Sequence, residues 1–173
     1  MKSSEVLIRR LTSADAPAYR ALRLRGFREH PQAFTTSVEE ESLKPLANAA
    51  QRLGDDSSCC FWGAFVDNTL VGLVGLEREN RAKLRHKGLI IGLFVAPEVA
   101  RRGIARTLLR TLLAQARESG LERLALSVTR GNLAAEKLYL DMGFRSWGVE
   151  PGAIQLGAQR FDKNHLFLNI KAP

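Results

Sequence analysis

Only two cysteines occur in 173 residues, and they are neighbours, Cys59 and Cys60. That is a poor basis for a disulfide framework and an incomplete ligand set for zinc, so no metal is expected. Long apolar runs are also missing: the longest, Leu89 to Pro97, has nine residues, about half of the ~20 that a helix needs to cross hydrocarbon. The amino-terminal MKSSEVLIRRLTSAD interrupts every short apolar stretch with charge, unlike a secretory signal. These absences lead to the expectation of a cytoplasmic protein with no membrane partner. Aromatic residues are only 7%, and neither a stacking run of the K/R-G-F/Y type nor a Cys/His finger spacing is present, so nothing favours nucleic acid as a partner. Repeats and low-complexity linkers are absent as well, which implies a single domain over residues 1–173.

What is present is the composition of one hydrophobic core, 45% apolar and 25% charged, with a basic excess: 26 Lys and Arg against 18 Asp and Glu, or +8. Such a charge suits a phosphorylated small molecule, an acidic membrane or nucleic acid, and sign alone does not choose among them. Periodicity supplies the elements. Val6–Arg10 reads as a strand. Thr12 with Asp15 resembles an N-cap signal for a first helix that His30-Pro31 stops. Ser37 with Glu40 forms a capping-box pattern for a second helix running to about Leu53. Cys60–Val66 and Leu70–Glu77 flank Asp67-Asn68-Thr69 as a hairpin. The basic segment Arg78–Lys87 suits a solvated turn, and Leu89–Val95 follows as a buried strand. Arg102–Ser119 is helical, with Ile104, Leu108, Leu112 and Ala116 on one face and Gly120 as the stop. Leu124–Val128 is a strand, Asn132–Met142 a helix, and two strands follow Gly143-Phe144, the last carrying Leu166, Leu168 and Ile170 in alternation.

The strand–helix–strand unit from Leu89–Val95 to Leu124–Val128 requires a crossover with parallel strands, whereas the hairpins are antiparallel. The expected fold class is therefore α/β, a mixed, mostly antiparallel sheet with one parallel strand pair and flanking helices. Its chemistry should lie where the crossover helix opens beside a strand end. A helix start carries unpaired N–H groups and about half a positive charge, and Arg101, Arg102 and Arg106 add to it here. Gly103 and Ala105 could equally serve close packing alone. The spacing fits neither a Walker loop nor a dinucleotide fingerprint.

The segment instead resembles the coenzyme A loop of the GCN5-related N-acetyltransferase (GNAT) family, [QR]-x-x-G-x-[GA] after a strand ending near V-x-P. Val95-x-Pro97 and Gly103-x-Ala105 match, while Ala100 stands where Gln or Arg is expected and Arg101 where many members have Gly. The stretch Asn132-x-x-Ala135-x-x-Leu138-Tyr139-x-x-x-Gly143-Phe144 matches the family's N-x-x-A-x-x-[LF]-Y-x-x-x-G-F at every named position. Together the two cover about fifty residues in the right order, and the order of strands and helices extends the likeness over nearly the whole chain.

This resemblance implies the acyl-CoA N-acyltransferase fold and acetyl-CoA as cosubstrate. It places the pyrophosphate near Arg101, Arg102, Gly103, Ile104, Ala105 and Arg106, and the pantetheine arm along the backbone of Leu93, Phe94 and Val95. Asn132, read from its own pattern as an N-cap, would also contact the arm. Tyr139, otherwise a core residue, resembles the family's general acid. Many relatives carry a carboxylate on the strand that here reads GLIIGLFV, so the general base does not carry over; Glu77, His165 and a water relay are the candidates, Glu40 being assigned to its capping box. The implied acceptor is a primary amine on a small molecule or on a protein or peptide N-terminus, acetylated by direct attack, and relatives that pair through edge strands imply a homodimer. The alternative is a non-catalytic module of the same fold that binds acyl-CoA or nucleic acid.

Overall fold

The computed structural model describes residues 5–171. Seven strands form one sheet: β1 (Val6–Arg10), β2 (Cys59–Val66), β3 (Thr69–Arg78), β4 (Lys87–Val95), β5 (Arg123–Thr129), β6 (Arg145–Leu156) and β7 (Gln159–Asn169), in the order β1-β2-β3-β4-β5-β7-β6. Every neighbouring pair is antiparallel except β4 with β5. Five α-helices accompany them: α1 (Ala16–Glu29), α2 (Val38–Leu43), α3 (Leu46–Arg52), α4 (Ile104–Glu118) and α5 (Leu133–Asp141). The mixed sheet with a single parallel pair agrees with the architecture expected from the periodicities.

One expectation needs correcting. The second helix does not run unbroken to Leu53 but ends at Leu43 and restarts at Leu46. Pro45 is the reason, since its ring disfavours the helical conformation of the preceding residue, and Lys44 is extended at ψ 138°. The capping box at Ser37 and Glu40 forms as expected: Ser37 N–H donates to Glu40 Oε2 at 2.8 Å and Glu40 N–H to Ser37 Oγ at 3.1 Å. The β2–β3 hairpin turns through Asp67 and Asn68, both with positive φ (48° and 64°), the conformation that a two-residue turn between twisted strands favours.

Alternation along β3 assigns the two faces of the sheet. A side chain at Gly72 would meet Leu108 and Ile104 of α4, whereas one at Gly75 would meet Phe61, whose ring has the edge of Tyr19 from α1 against it at 5.0 Å. Helix α4 thus covers one face and α1 the other. Leu108, Leu109, Leu112 and Ala116 are fully buried under the first face, roughly 1.5–3 kcal/mol of transfer free energy for each leucine.

The parallel pair is short. Only Lys87, Gly88 and Leu89 pair with Arg123, Leu124 and Ala125. Beyond them β4 stays bonded to β3 as far as Val95↔Gly72, and β5 to β7 as far as Thr129↔Lys163, so each strand is held from outside while their inner edges part. A bulge accompanies the parting: Gly75 faces Ile91 but Leu73 faces Phe94, which leaves Gly92 and Leu93 opposite Val74. Gly92 has φ +64°, a conformation open to glycine and strained for other residues, and the extra residue bends the strand.

Candidate active site

The wedge between β4 and β5 opens into a cavity of about 660 Å³. Leu93, Phe94 and Val95 line it from β4, Thr129 to Asn132 from the end of β5, and Ala134, Ala135 and Leu138 from α5. Its far wall comes from the end of α1 and the turn after it, with His30, Gln32 and Phe34, and Phe161 of β7 contributes too. Phe94 is itself buried, its ring 3.1–3.4 Å from where a side chain on Gly26 of α1 would begin; what it offers the cavity is backbone. Thr129, 4% exposed, ties the two sides together by donating its hydroxyl to the Gln32 carbonyl at 2.7 Å.

A second cavity of about 260 Å³ adjoins the first, sharing Val95, Ala105 and Leu138 with it and adding Val99, Ala100, Arg101, Gly103, Ile104 and Arg106. The chain reaches this point through two left-handed residues, Arg101 at φ 61° and Gly103 at φ 75°. Gly103 is the N-cap of α4, without a side chain to cap with. Its carbonyl accepts the first helical bond, from Thr107 N–H at 3.0 Å, so the amides of Ile104, Ala105 and Arg106 have no acceptor within the helix. Nothing lies within 4 Å of a side chain built at Gly103. The turn is therefore an open cluster of donors at the positive end of a helix dipole, a ready anion cradle.

The helix expected from Arg102 thus begins two residues later, and its arginines differ in placement. Arg101 lines the smaller cavity, exposed; Arg102, also exposed, lines neither. Arg106 lines the cavity but also reaches Asp141 of α5 at 3.1 Å. An outer brace comes from Arg25 of α1, which grips Glu98 with two hydrogen bonds of 2.6 and 2.7 Å. Those bonds hold the Glu98 carboxyl down at about 2, and they fix α1 against the turn preceding α4.

Asn132 caps α5, its side-chain oxygen accepting from Ala135 N–H at 3.3 Å, while the residue also lines the larger cavity. Tyr139 is 7% exposed and packs edge-on against Phe144 at 5.9 Å; the α5 residues lining the cavity are its neighbours Ala134, Ala135 and Leu138. Burial pushes its phenol above the ordinary range, so the group is protonated at neutral pH.

The candidate bases are farther out. Glu77 is exposed and pairs with Leu89, at the closed end of the wedge, four residues or roughly 13 Å along β3 from the Leu73↔Phe94 pair. His165 lies between Ser127 and Gly148 in the sheet, its Nε2 2.8 Å from Glu150 Oε2 and its ring 5.6 Å from Trp147. Neither lines the cavity. His30, Gln32, Phe34, Thr129 and Phe161 do, and motif spacing did not single them out. The sequence mark nearest to them is Pro31, which stops α1 and turns the chain over the wedge. Among the described residues no group of three or more His, Cys, Asp or Glu is placed to hold a metal, and no helix is long and apolar enough to cross a membrane.

A parallel pair splayed beside an uncapped helix start is the arrangement that the resemblance to acyl-CoA N-acyltransferases implies, and comparison with known proteins agrees. Residues 20–144 match the Acetyltransferase (GNAT) family. The chain belongs to this family. It is 40% identical over 116 residues to human N-acetyltransferase 8, an alignment covering 66% of this chain and 51% of that protein; the chain spans about half the length of such curated relatives or less. The acetyltransferase of GNAT family from Streptococcus pneumoniae superposes with a TM-score of 0.87 at 23% identity, covering 95% of this chain and 99% of the other. A putative acetyltransferase from Salmonella typhimurium, solved with its cofactor acetyl-CoA, superposes at 0.80 with 18% identity over 98% and 96%.

Proposed function

We propose that the chain is an acetyl-CoA-dependent N-acetyltransferase acting on a primary amine, with residues 1–173 forming one catalytic domain. The observation that carries this reading is the wedge itself: strand edges with unspent backbone groups lead from the sheet to the open amides of α4. Acetyl-CoA matches that path, with amides along its arm and phosphates at its end, and the Salmonella typhimurium neighbour holds this cofactor. Leu93, Phe94 and Val95 would bind the arm through backbone groups, with Asn132 beside them. Arg101, Arg102, Gly103, Ile104, Ala105 and Arg106 would receive the phosphates. The bound molecule supplies an activated acyl group.

The amine lone pair attacks the acyl carbon and the carbon–sulfur bond breaks, leaving an amide and a thiolate. One proton must leave the nitrogen and one must reach the sulfur. Tyr139 is assigned the second transfer, its hydroxyl being held in the protonated form at neutral pH by burial. No carboxylate stands on β4, so the first falls to a weak or water-relayed base, His165 with its Glu150 partner being nearer the wedge than Glu77. Such a base favours amines that are partly neutral already: an α-amino group of pKa near 7.7–8.0 is about a tenth neutral at pH 7, a lysine side chain about a thousandth. The expected kcat/KM therefore rises from pH 6 to 9. Two free cysteines fit a reducing, cytoplasmic setting, and the edge strand β6, with Trp147 66% exposed, is a fitting seam for a homodimer.

Release of CoA thiol from acetyl-CoA, measured against a panel of amines, amino acids, peptides and aminated antibiotics, tests the reading. Amine-dependent release supports it. Tight acetyl-CoA binding without release from any acceptor would point to a binding module instead.

A further inference from the structure

Helix α1 stops at Pro31, whose ring turns the residue before it out of the helical conformation, and that residue, His30, has φ −136° and ψ 60°. Its amide donates to the Gly26 carbonyl and its carbonyl accepts from Ala33 N–H, both at 2.9 Å, so the backbone on either side of the ring is fixed. The imidazole stands over β4, its centre 6.1 Å from that of the Phe94 ring and tilted by 59° to it. Phe94 is in turn packed against α1 at Gly26. His30 therefore lines the wedge cavity together with Leu93, Phe94 and Val95.

The chemistry of that lining narrows the choice of base. Only His30 and Arg130 bring titratable side chains to it; the other lining residues are apolar or carry amides or a hydroxyl. A guanidinium stays protonated and accepts nothing, whereas imidazole is the side chain that ordinarily changes charge between about pH 5 and pH 8. The His30 ring is exposed, and no hydrogen bond from another described residue occupies it. His165 differs on both counts, since its Nε2 is committed to Glu150 and it lies outside the lining. The charged groups about His30 are Arg28 and Glu29 on its own helix, Arg130 with Asp162 from the β5 and β7 side, and Arg106 in the adjoining cavity. Glu29 is bonded to Arg25 at 2.7 Å, Asp162 lies 3.7 Å from Arg130, and Asp141 takes Arg106 at 3.1 Å. Each of these carboxylates has a basic partner, and β4 and α5 add no titratable side chain to the lining.

We propose that the His30 imidazole is the general base of the reaction, receiving the proton of the acceptor nitrogen directly or across one water. This rests on the acetyltransferase reading above and names the base which that reading leaves open. Once the amine nitrogen has bonded to the acyl carbon it is positive, and one of its N–H bonds breaks. The proton goes to the lone pair of a ring nitrogen, and the electron pair left behind stays on the nitrogen that becomes the amide. The carbon–sulfur bond breaks with its electrons on sulfur, which takes the proton of Tyr139. Because the ring is exposed, the imidazolium returns its proton to solvent, which also restores the one that Tyr139 gave.

The test is the pH dependence of thiol release, with the fastest amine of the panel above, in the wild-type protein, H30Q and H165Q. Both the amine and the ring must lose a proton before the wild-type reaction, so the logarithm of kcat/KM should rise on its acid side with a limiting slope of about two. H30Q leaves only the amine to titrate: the slope should fall to about one and kcat by about 10²-fold or more, with KM for acetyl-CoA within about twofold of wild type. Added imidazole should return at least about 10-fold of the lost rate to H30A. A ring that merely packs on Phe94 would lower the rate without changing the slope or responding to imidazole. Loss of the second ionisation in H165Q instead of H30Q gives the role to His165 and overturns the proposal, and a wild-type slope of about one overturns it even if the variants fail to fold. Wild-type protein that binds acetyl-CoA but releases no thiol with any amine defeats the acetyltransferase reading and this one together; turnover that H30Q matches at every pH defeats this one alone.

Discussion

The helices α4 and α5 begin on either side of the same wedge, and their first turns are built differently. At α5, Asn132 satisfies the Ala135 amide with its own side chain. At α4 the N-cap is a glycine, and the amides after it face an open space. Two other places follow the α5 pattern: the Asp15 carboxylate accepts from Thr12 N–H at 2.8 Å ahead of α1, and Ser37 and Glu40 close the start of α2. The starts of α2 and α5 and the turn leading into α1 are completed by side chains, α3 begins after Pro45 with no side-chain cap, and the open start of α4 is the one beside the splayed strands. What sets α4 apart is the combination of a glycine N-cap and a place beside the splayed strands, which supports the proposed phosphate site more sharply than the arginines around it, one of which is already engaged by Asp141.

The proposed function places chemistry on α5 and cofactor affinity on α4, and variants should separate the two. The largest effect is expected from Tyr139→Phe, which keeps the buried ring but removes the proton donor: turnover should fall about 10²–10³-fold with acetyl-CoA affinity nearly unchanged. Steady-state kinetics beside a binding titration would show it, and full activity with chemistry rate-limiting would remove Tyr139 from the mechanism. Next, Gly103→Asp supplies α4 with the cap and negative charge that it lacks, and should weaken CoA binding about 10- to 100-fold. Asn132→Ala does the reverse at α5, leaving an amide uncapped; denaturant unfolding should report a loss of about 1 kcal/mol.

The smallest effect lies at the start of α1. Two hydrogen bonds from Arg9, 2.7 and 2.8 Å, and the Thr12 amide hold the Asp15 carboxyl at about 2, below its ordinary 3.8. Because the folded-state value is depressed, the stabilisation is fully present above about pH 4 and is lost as pH falls toward 2. Melting temperature measured through that window should drop less steeply in Asp15→Asn than in the wild-type protein, and identical slopes would show that this cap contributes nothing.

Much of this was legible in the sequence because it is local. The alternation of apolar residues marked the strands, the Ser37/Glu40 spacing marked a cap, and the two segments around Gly103 and Tyr139 marked the helices that flank the wedge. Pro45 carried the signal that splits α2 from α3, but the capping box and apolar residues around it read as one continuous helix. The bulge at Gly92 was hidden, since a lone glycine in a strand has no distinctive pattern. Gln32, Thr129 and Phe161 were hidden for a different reason: they come from separate parts of the chain, and only the sheet order β4-β5-β7, with the turn after α1 laid over it, brings them together.

The central claim is that the uncapped start of α4 is where the phosphates of CoA bind. Calorimetric titration of CoA into the wild-type protein and into Gly103→Val tests it most directly. A β-branched residue is strained at φ +75° and closes the approach to the amides. The account predicts clear saturable binding to the wild-type protein and a loss of at least about 10-fold in the folded variant. Equal affinity in both proteins would contradict it.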